Sequence, residues 1–203
     1  MIVTVNTTLF YMCLSRYLSW FKKKDPEYSA YINSTINACA LIFTEQIDMA
    51  TRMSLFSGYL INDTIYLLCK KNPFHSKNQQ FLIHHLFSLA LTMSPYPIIY
   101  PEITSNLLVV ERTIPIANAL WFLKHYNPPP TQTVNQITKG LKVLFFTAFT
   151  YYRVIHLSLA SYGLTMAKPT VAMPVKLCVY SLCTINMIWY TKILKMICPH
   201  RKF

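Results

Sequence analysis

Apolar residues fall in long blocks separated by short polar turns, at roughly 2–21, 31–46, 53–69, 81–100, 103–123, 141–162 and 173–194. Within each block they are not confined to one helical face, which argues against a soluble amphipathic bundle. A membrane-spanning helix needs roughly 20 mostly apolar residues, so the pattern predicts an all-α, polytopic membrane helix bundle of about seven transmembrane helices. The first two blocks are diluted by Asn6, Arg16, Asn33 and Asn37. Spans and connecting loops use the whole length and leave no room for a separate soluble domain.

The basic residues sharpen this picture. The segments 22–30, 70–80, 124–140 and 195–203 hold 11 of the 19 Lys and Arg residues. The intervening turns hold Arg52 and Lys168, with the acids Asp48 and Glu102 beside them. Such alternation follows the positive-inside rule and places the N-terminus outside or in the lumen and the C-terminus in the cytosol. The division expected is an N-terminal transmembrane helix and basic loop over 1–29, a main helical domain over 30–197, and a basic cytosolic tail over 198–203.

Composition agrees: 53% of residues are hydrophobic and only 13% charged, against about a quarter charged in a soluble domain. The net charge of +12 does not imply nucleic-acid binding. The basic residues cluster at the ends of apolar blocks and form no stripe on a folded face. The six cysteines include no CxxC pair and read as small buried apolar residues.

Candidate chemistry lies in the ionisable residues inside the blocks, where burial is costly and marks a functional site. His84 and His85 interrupt the run Phe81–Met93. Counted at 1.5 Å rise per residue, Asp63, His84, His85 and Trp189 lie roughly 6–9 Å from the cytosolic ends of their blocks, and Asn186 somewhat deeper. Arg112 and Arg153 lie roughly 17–18 Å in, near the bilayer centre. Glu111 adjoins Arg112, and His156 follows Arg153 by a turn. This set supports general acid–base or nucleophilic catalysis by imidazole, with Asp63 orienting a ring. It does not support a metal site. Adjacent helical histidines point about 100° apart, and neither has a second His or Cys at the spacing that ligation needs. A mid-membrane Arg153 needs a partner, with Asp63 and Glu111 the candidates.

Read in order, these residues resemble a known family. Ser57-Gly-Tyr-Leu-Ile-Asn-Asp63 resembles the Gly-Tyr-x-x-x-Asp span of the TLC domain (TRAM, LAG1 and CLN8 homology). Ile83-His-His-Leu-Phe-Ser88 resembles its His-His helix, Phe149-Thr-Tyr-Tyr-Arg153 its Phe-x-x-x-Arg helix, and Asn186-Met-Ile-Trp-Tyr190 its closing segment. The resemblance covers about residues 30–197 and is nearest to the small proteins that consist of a TLC domain alone. Ceramide synthases carry an aspartate-rich stretch after the His-His helix. Here that region reads Tyr96-Pro-Ile-Ile-Tyr-Pro-Glu-Ile-Thr-Ser105 and has no Asp. Glu102 and Thr104 better match the non-synthase members.

The resemblance implies an integral membrane protein of the endoplasmic reticulum or another endomembrane, with the plasma membrane the other setting. Three functions are consistent with it. The first is lipid handling, in homeostasis, sensing or transport. A helix-bundle cavity would enclose a membrane lipid or acyl chain beneath the His-His layer, lined by Glu102, Arg112, Arg153, His156, Asn186 and Trp189. The second is an acyltransferase similar to ceramide synthases, with His84, His85 and Asp63 catalytic and acyl-coenzyme A as substrate rather than cofactor. The third is a cargo or escort protein resembling the CLN8 branch. No cofactor is implied, and a homo-oligomer is left open.

Overall fold

The computed structural model describes residues 2–21, 26–44, 46–126, 129, 131–167 and 171–197. Its elements are α1 (Ile2–Phe21), α2 (Pro26–Phe43), α3 (Met49–Leu68), α4 (Ser76–Thr92), the short α5 (Tyr96–Ile99) and α6 (Pro101–Leu108), then α7 (Ile114–Tyr126), α8 (Gln132–Ala148), α9 (Leu157–Ala167) and α10 (Met173–Ile197). A 3-10 turn, Val109–Thr113, joins α6 to α7, and a π-helical segment, Phe149–His156, joins α8 to α9. The described residues are all-α.

The expectation of about seven membrane spans is not met. Among the described residues, two helices are long and apolar enough to cross a membrane: Gln132–Met166, of 35 residues, and Met173–Ile197, of 25. The others are too short or too diluted by polar residues. Helix α1 carries Asn6 and Arg16, and α2 carries Glu27, Asn33 and Asn37. Helix α3 carries Arg52, Asn62 and Asp63, and α4 has 17 residues that include Asn78, Gln79, Gln80, His84 and His85. The sidedness derived from seven spans falls with the count. The two long helices bury only 22% and 28% of their apolar windows, and Val143, Leu159, Leu177 and Met196 stand exposed. A soluble core helix would turn such residues inward.

Prolines account for two further departures. The block 81–100 does not form one helix: α4 ends at Thr92, and Pro95, Pro97 and Pro101 divide the next stretch into the short α5 and α6. The block 103–123 is broken at Pro115. Proline has no N–H to give the carbonyl four residues back, and its ring crowds that carbonyl. The carbonyl in question is that of Glu111, which instead accepts from the Ile114 N–H in the 3-10 turn. The break carries Glu111 into the bundle, 6% exposed.

Two apolar clusters flank the polar middle. Tyr11, Leu41, Met53, Phe56, Tyr59, Leu60 and Leu108 join α1, α2, α3 and α6. Leu91, Leu107, Leu157, Leu164, Val175, Val179 and Leu182 join α4, α6, α9 and α10. Helix α1 reaches α3 through Thr7, whose hydroxyl donates to the Ser54 carbonyl at 2.8 Å. Gly58 permits that approach, since a Cβ there would lie 2.8 Å from the Thr8 backbone nitrogen. The tail 198–203 expected from the sequence lies outside the described residues.

Candidate functional site

A cavity of ≈ 180 Å³ opens between α2, α3, α4, the 3-10 turn, the π segment and α10. Helix α3 presents Tyr59, Asp63 and Tyr66 to it at intervals of three and four residues, one helical face, and Lys70 follows just past the helix end. Helix α4 supplies Phe81, His84 and His85, and α2 supplies Glu27, Tyr31 and Ser34. Glu111, Asn118, Arg153 and Trp189 complete the wall.

The two histidines differ in their surroundings. His85 Nε2 lies 3.4 Å from Asp63 Oδ2, and its Nδ1 lies 3.3 Å from the Thr64 hydroxyl. Both nitrogens are engaged, and the ring is 4% exposed. His84 Nδ1 is buried without a partner, and its ring lies 5.3 Å from that of Trp189. One imidazole is therefore held at both nitrogens, and the other has an unpartnered Nδ1.

Arg153 closes the inner end. Its Nε donates to the Thr113 hydroxyl at 2.7 Å, Nη1 donates to Asn186 Oδ1 at 3.1 Å, and Nη2 lies 3.7 Å from Glu111 Oε1. Of the two carboxylates expected as its partner, Glu111 takes that place. The π segment that carries Arg153 has a wider turn than an α-helix, a feature frequent at functional sites. Asn186 in turn donates to the Leu182 carbonyl at 2.8 Å.

A second, apolar slot of ≈ 40 Å³ lies beyond this layer, lined by Leu91, Leu107, Leu108, Val110, Leu157 and Leu182 together with Ser88 and Asn186. Phe56, His84 and Glu111 line both spaces. The unpartnered imidazole thus stands where the polar chamber meets the apolar slot.

Of the residues singled out from sequence, Asp63, His84, His85, Arg153 and Trp189 share the cavity, and Asn186 touches it through Arg153. Glu102 is exposed on α6 and lines neither space. Arg112 lines neither and has its guanidinium 5.8 Å from the Tyr152 ring. His156 also lies away from both, with Nε2 buried and unpartnered. The sequence alone does not single out Tyr31, Tyr66 or Asn118, and Tyr59 stands there only as the tyrosine of the Gly-Tyr-x-x-x-Asp motif. That spacing puts Tyr59 one turn before Asp63 on the same face. Tyr31 and Asn118 have no local signal. Asn118 Nδ2 donates to the Tyr31 carbonyl at 2.9 Å and to Thr35 Oγ1 at 2.8 Å, which ties α7 to α2.

The fold and site define an all-α bundle around an ionisable cavity, with two helices suited to a membrane by length and composition. The family model for the TLC domain matches residues 2–195, and the chain belongs to that family. The matched range takes in α1 as well as the helices that line the cavity. No curated protein and no solved structure matches the chain.

Proposed function

We propose that this TLC-domain protein handles a membrane lipid, with a polar end in the ionisable chamber and a short stretch of its apolar part at the slot. The observation that carries the reading is the meeting of the two spaces at His84, whose Nδ1 has no protein partner. Asp63 and Thr64 hold His85, which buttresses His84 from the next position on α4. Arg153 and Asn186 form the floor. The absence of aspartates between Tyr96 and Ser105 favours the TLC-only members over the ceramide synthases.

The test is mass spectrometry of lipids retained by the purified full chain. We expect a defined lipid to be retained by the unmodified protein, and its amount or acyl composition to change in His84→Ala while folding is preserved. A protein that retains no lipid, or one whose retained lipid is unmoved by both His84→Ala and His85→Ala, would overturn the reading.

Acyl transfer is a second reading, favoured by the same free imidazole. His84 Nδ1 would attack an acyl thioester and release the thiol, then pass the acyl group to an amine. Incubation with acyl-coenzyme A followed by intact-mass measurement distinguishes it. An acyl adduct on His84 selects transfer, and its absence leaves lipid handling alone.

A further inference from the structure

A trough of ≈ 660 Å³ runs along α3, well over the ≈ 180 Å³ of the chamber and the ≈ 40 Å³ of the slot. Helix α3 gives it Ala50, Met53, Ser54, Ser57 and Ile61. At about 100° per residue these fall within one arc of roughly 100°, on the face opposite Tyr59, Asp63 and Tyr66. Helix α1 adds Thr4, Thr8 and Leu9, and the end of α4 with the start of α5 adds Thr92, Met93 and Pro97. Thr92 also lines the slot, and its hydroxyl is bonded to Ser57 on the trough side.

The chemistry of this wall is unlike that of the chamber. No ionisable side chain stands among the described residues that line it. Four of its hydroxyls give their protons to the chain itself. Thr8 donates to the Thr4 carbonyl at 2.8 Å, Ser57 to Thr92 Oγ1 at 2.9 Å, Thr92 to the Leu89 carbonyl at 3.3 Å and Ser94 to the Leu91 carbonyl at 2.6 Å. A phosphate or carboxylate needs charge-assisted donors, and an ammonium needs a carboxylate. The described wall offers neither. Leu9 and Met93 stand 53% and 65% exposed at it, apolar surface that a hydrocarbon occupant would take out of water.

Size and shape narrow the occupant. From Ala50 to Ile61 the helix axis advances ~16 Å. That is the depth of one leaflet, half of a hydrocarbon core about 30 Å thick. The volume falls within the range of about 300–1,000 Å³ usual for ligand pockets. Met53 and Met93 are unbranched and adapt their shape to a flexible neighbour. A saturated chain carries no polar atoms, so it needs none of the protons that the wall has already spent. The two helices suited to a membrane, Gln132–Met166 and Met173–Ile197, keep the bundle in the company of such chains.

We infer that this trough is a second lipid site, which takes one acyl chain of a membrane lipid along α3 and is separate from the chamber. It goes beyond the reading of the chamber and does not rest on it. The test gives the full chain, in neutral detergent, a phosphatidylcholine with a diazirine on one acyl chain. After irradiation the label is mapped by peptide mass spectrometry. Label is expected to concentrate on residues 4–9, 50–61 and 92–97 over the exposed apolar positions of α8 and α9, such as Val143 and Leu159, and to be competed away by unlabelled phosphatidylcholine. Ser54→Trp fills the trough part-way along and should lower its labelling about tenfold, the equivalent of two buried methylenes. Ala50→Phe, at an exposed position where the fold tolerates a larger side chain, should lower it by a smaller factor. His84→Ala should leave it unchanged. Label spread evenly over the trough and the α8–α9 positions overturns the proposal. So does trough label that both filling variants preserve, that cholesterol displaces better than phosphatidylcholine, or that His84→Ala abolishes. The chamber reading falls only by its own test, the lipid retained by His84→Ala and His85→Ala.

Discussion

Asn62 and Asp63 are neighbours on α3 and belong to different halves of the molecule. Successive helical residues point about 100° apart, so Asn62 turns to α1 and Asp63 to α4. On the α1 side the buried polar groups are neutral. Asn62 Nδ2 donates to the Ser15 hydroxyl at 3.3 Å, Asn33 Nδ2 donates to that same hydroxyl, and the Tyr11 hydroxyl donates to Asn37 Oδ1 at 3.3 Å. On the α4 side they include the ionisable His85, Glu111 and Arg153, with the half-buried Asp63 and His84 beside them. Both halves leave buried polar atoms without partners, Asn33 Oδ1 and Asn37 Nδ2 in one and His84 Nδ1 in the other. Of these three residues, only His84 lines the chamber and the slot. Neutral amides tie helices together at modest desolvation cost. A group of ionisable side chains around an open space costs more to bury and makes chemistry available to a ligand. The contrast separates a structural polar cluster from a candidate site.

The largest expected effect breaks the ionisable half. Arg153→Met leaves Glu111 buried without its cation, a change that typically costs ~3–5 kcal/mol. Unfolding of the purified protein in neutral detergent should show it as a large drop in midpoint. The double variant Glu111→Leu/Arg153→Met should recover most of the loss, because replacing both members of a buried pair is often neutral. If Arg153→Met costs no more than a substitution in the neutral cluster, the two halves do not differ in the way argued.

The histidines sharpen the contrast within one half. His85→Ala strands Asp63, at a cost of about 1–3 kcal/mol for a buried group left unsatisfied, while the Thr64 hydroxyl keeps its bond to the Leu60 carbonyl. His84→Ala removes a ring whose Nδ1 has no partner, so its stability cost should be the smaller of the two. Equal unfolding midpoints for the two variants would contradict the division into an anchored and a free imidazole. In the neutral half, Asn33→Ala should cost about 1 kcal/mol, the net value of an ordinary buried hydrogen bond. A loss as large as that of Arg153→Met would show that the amides carry more than helix contact.

These differences also explain how much of the molecule is legible in its sequence. His84, His85, Asp63 and Arg153 are legible because an ionisable residue in an apolar run is conspicuous at any register. Trp189 and Asn186 are legible as parts of a motif. Arg112 and His156 join them only when depth is counted along straight helices. The 3-10 turn before Pro115 and the π segment around Arg153 shift the helical phase, so residues matched in depth do not share a face. Tyr31 and Asn118 are invisible because they come from helices whose pairing, α2 with α7, has no local signature. The count of spans fails for a related reason. Apolar blocks look continuous along the chain, whereas Asn33, Asn37, Arg52 and Asn62 turn inward and make short helices serviceable inside the bundle rather than suited to lipid on every side.

The smallest expected effect concerns the helix that both halves share. Asp48 caps α3, its carboxylate accepting from the Thr51 N–H at 2.9 Å. Hydrogen bonds from the Thr51 side chain and backbone hold this exposed carboxyl below the usual carboxylate range. A group whose folded value is lowered contributes stability that is present above its unfolded value and lost as pH falls through the folded one. The contribution should therefore be constant at neutral pH and fade on acidification below the ordinary aspartate range. Asp48→Asn retains a capping oxygen and removes the titration. Unfolding midpoints of the two proteins, compared from neutral pH downward, should converge as the medium becomes acidic. A gap that stays constant or widens on acidification would show that the cap does not act through its charge. Because Asp48 lies at the N-terminus of α3, more than three turns before Asn62 and Asp63, the change should leave the retained lipid of the unmodified protein unaltered.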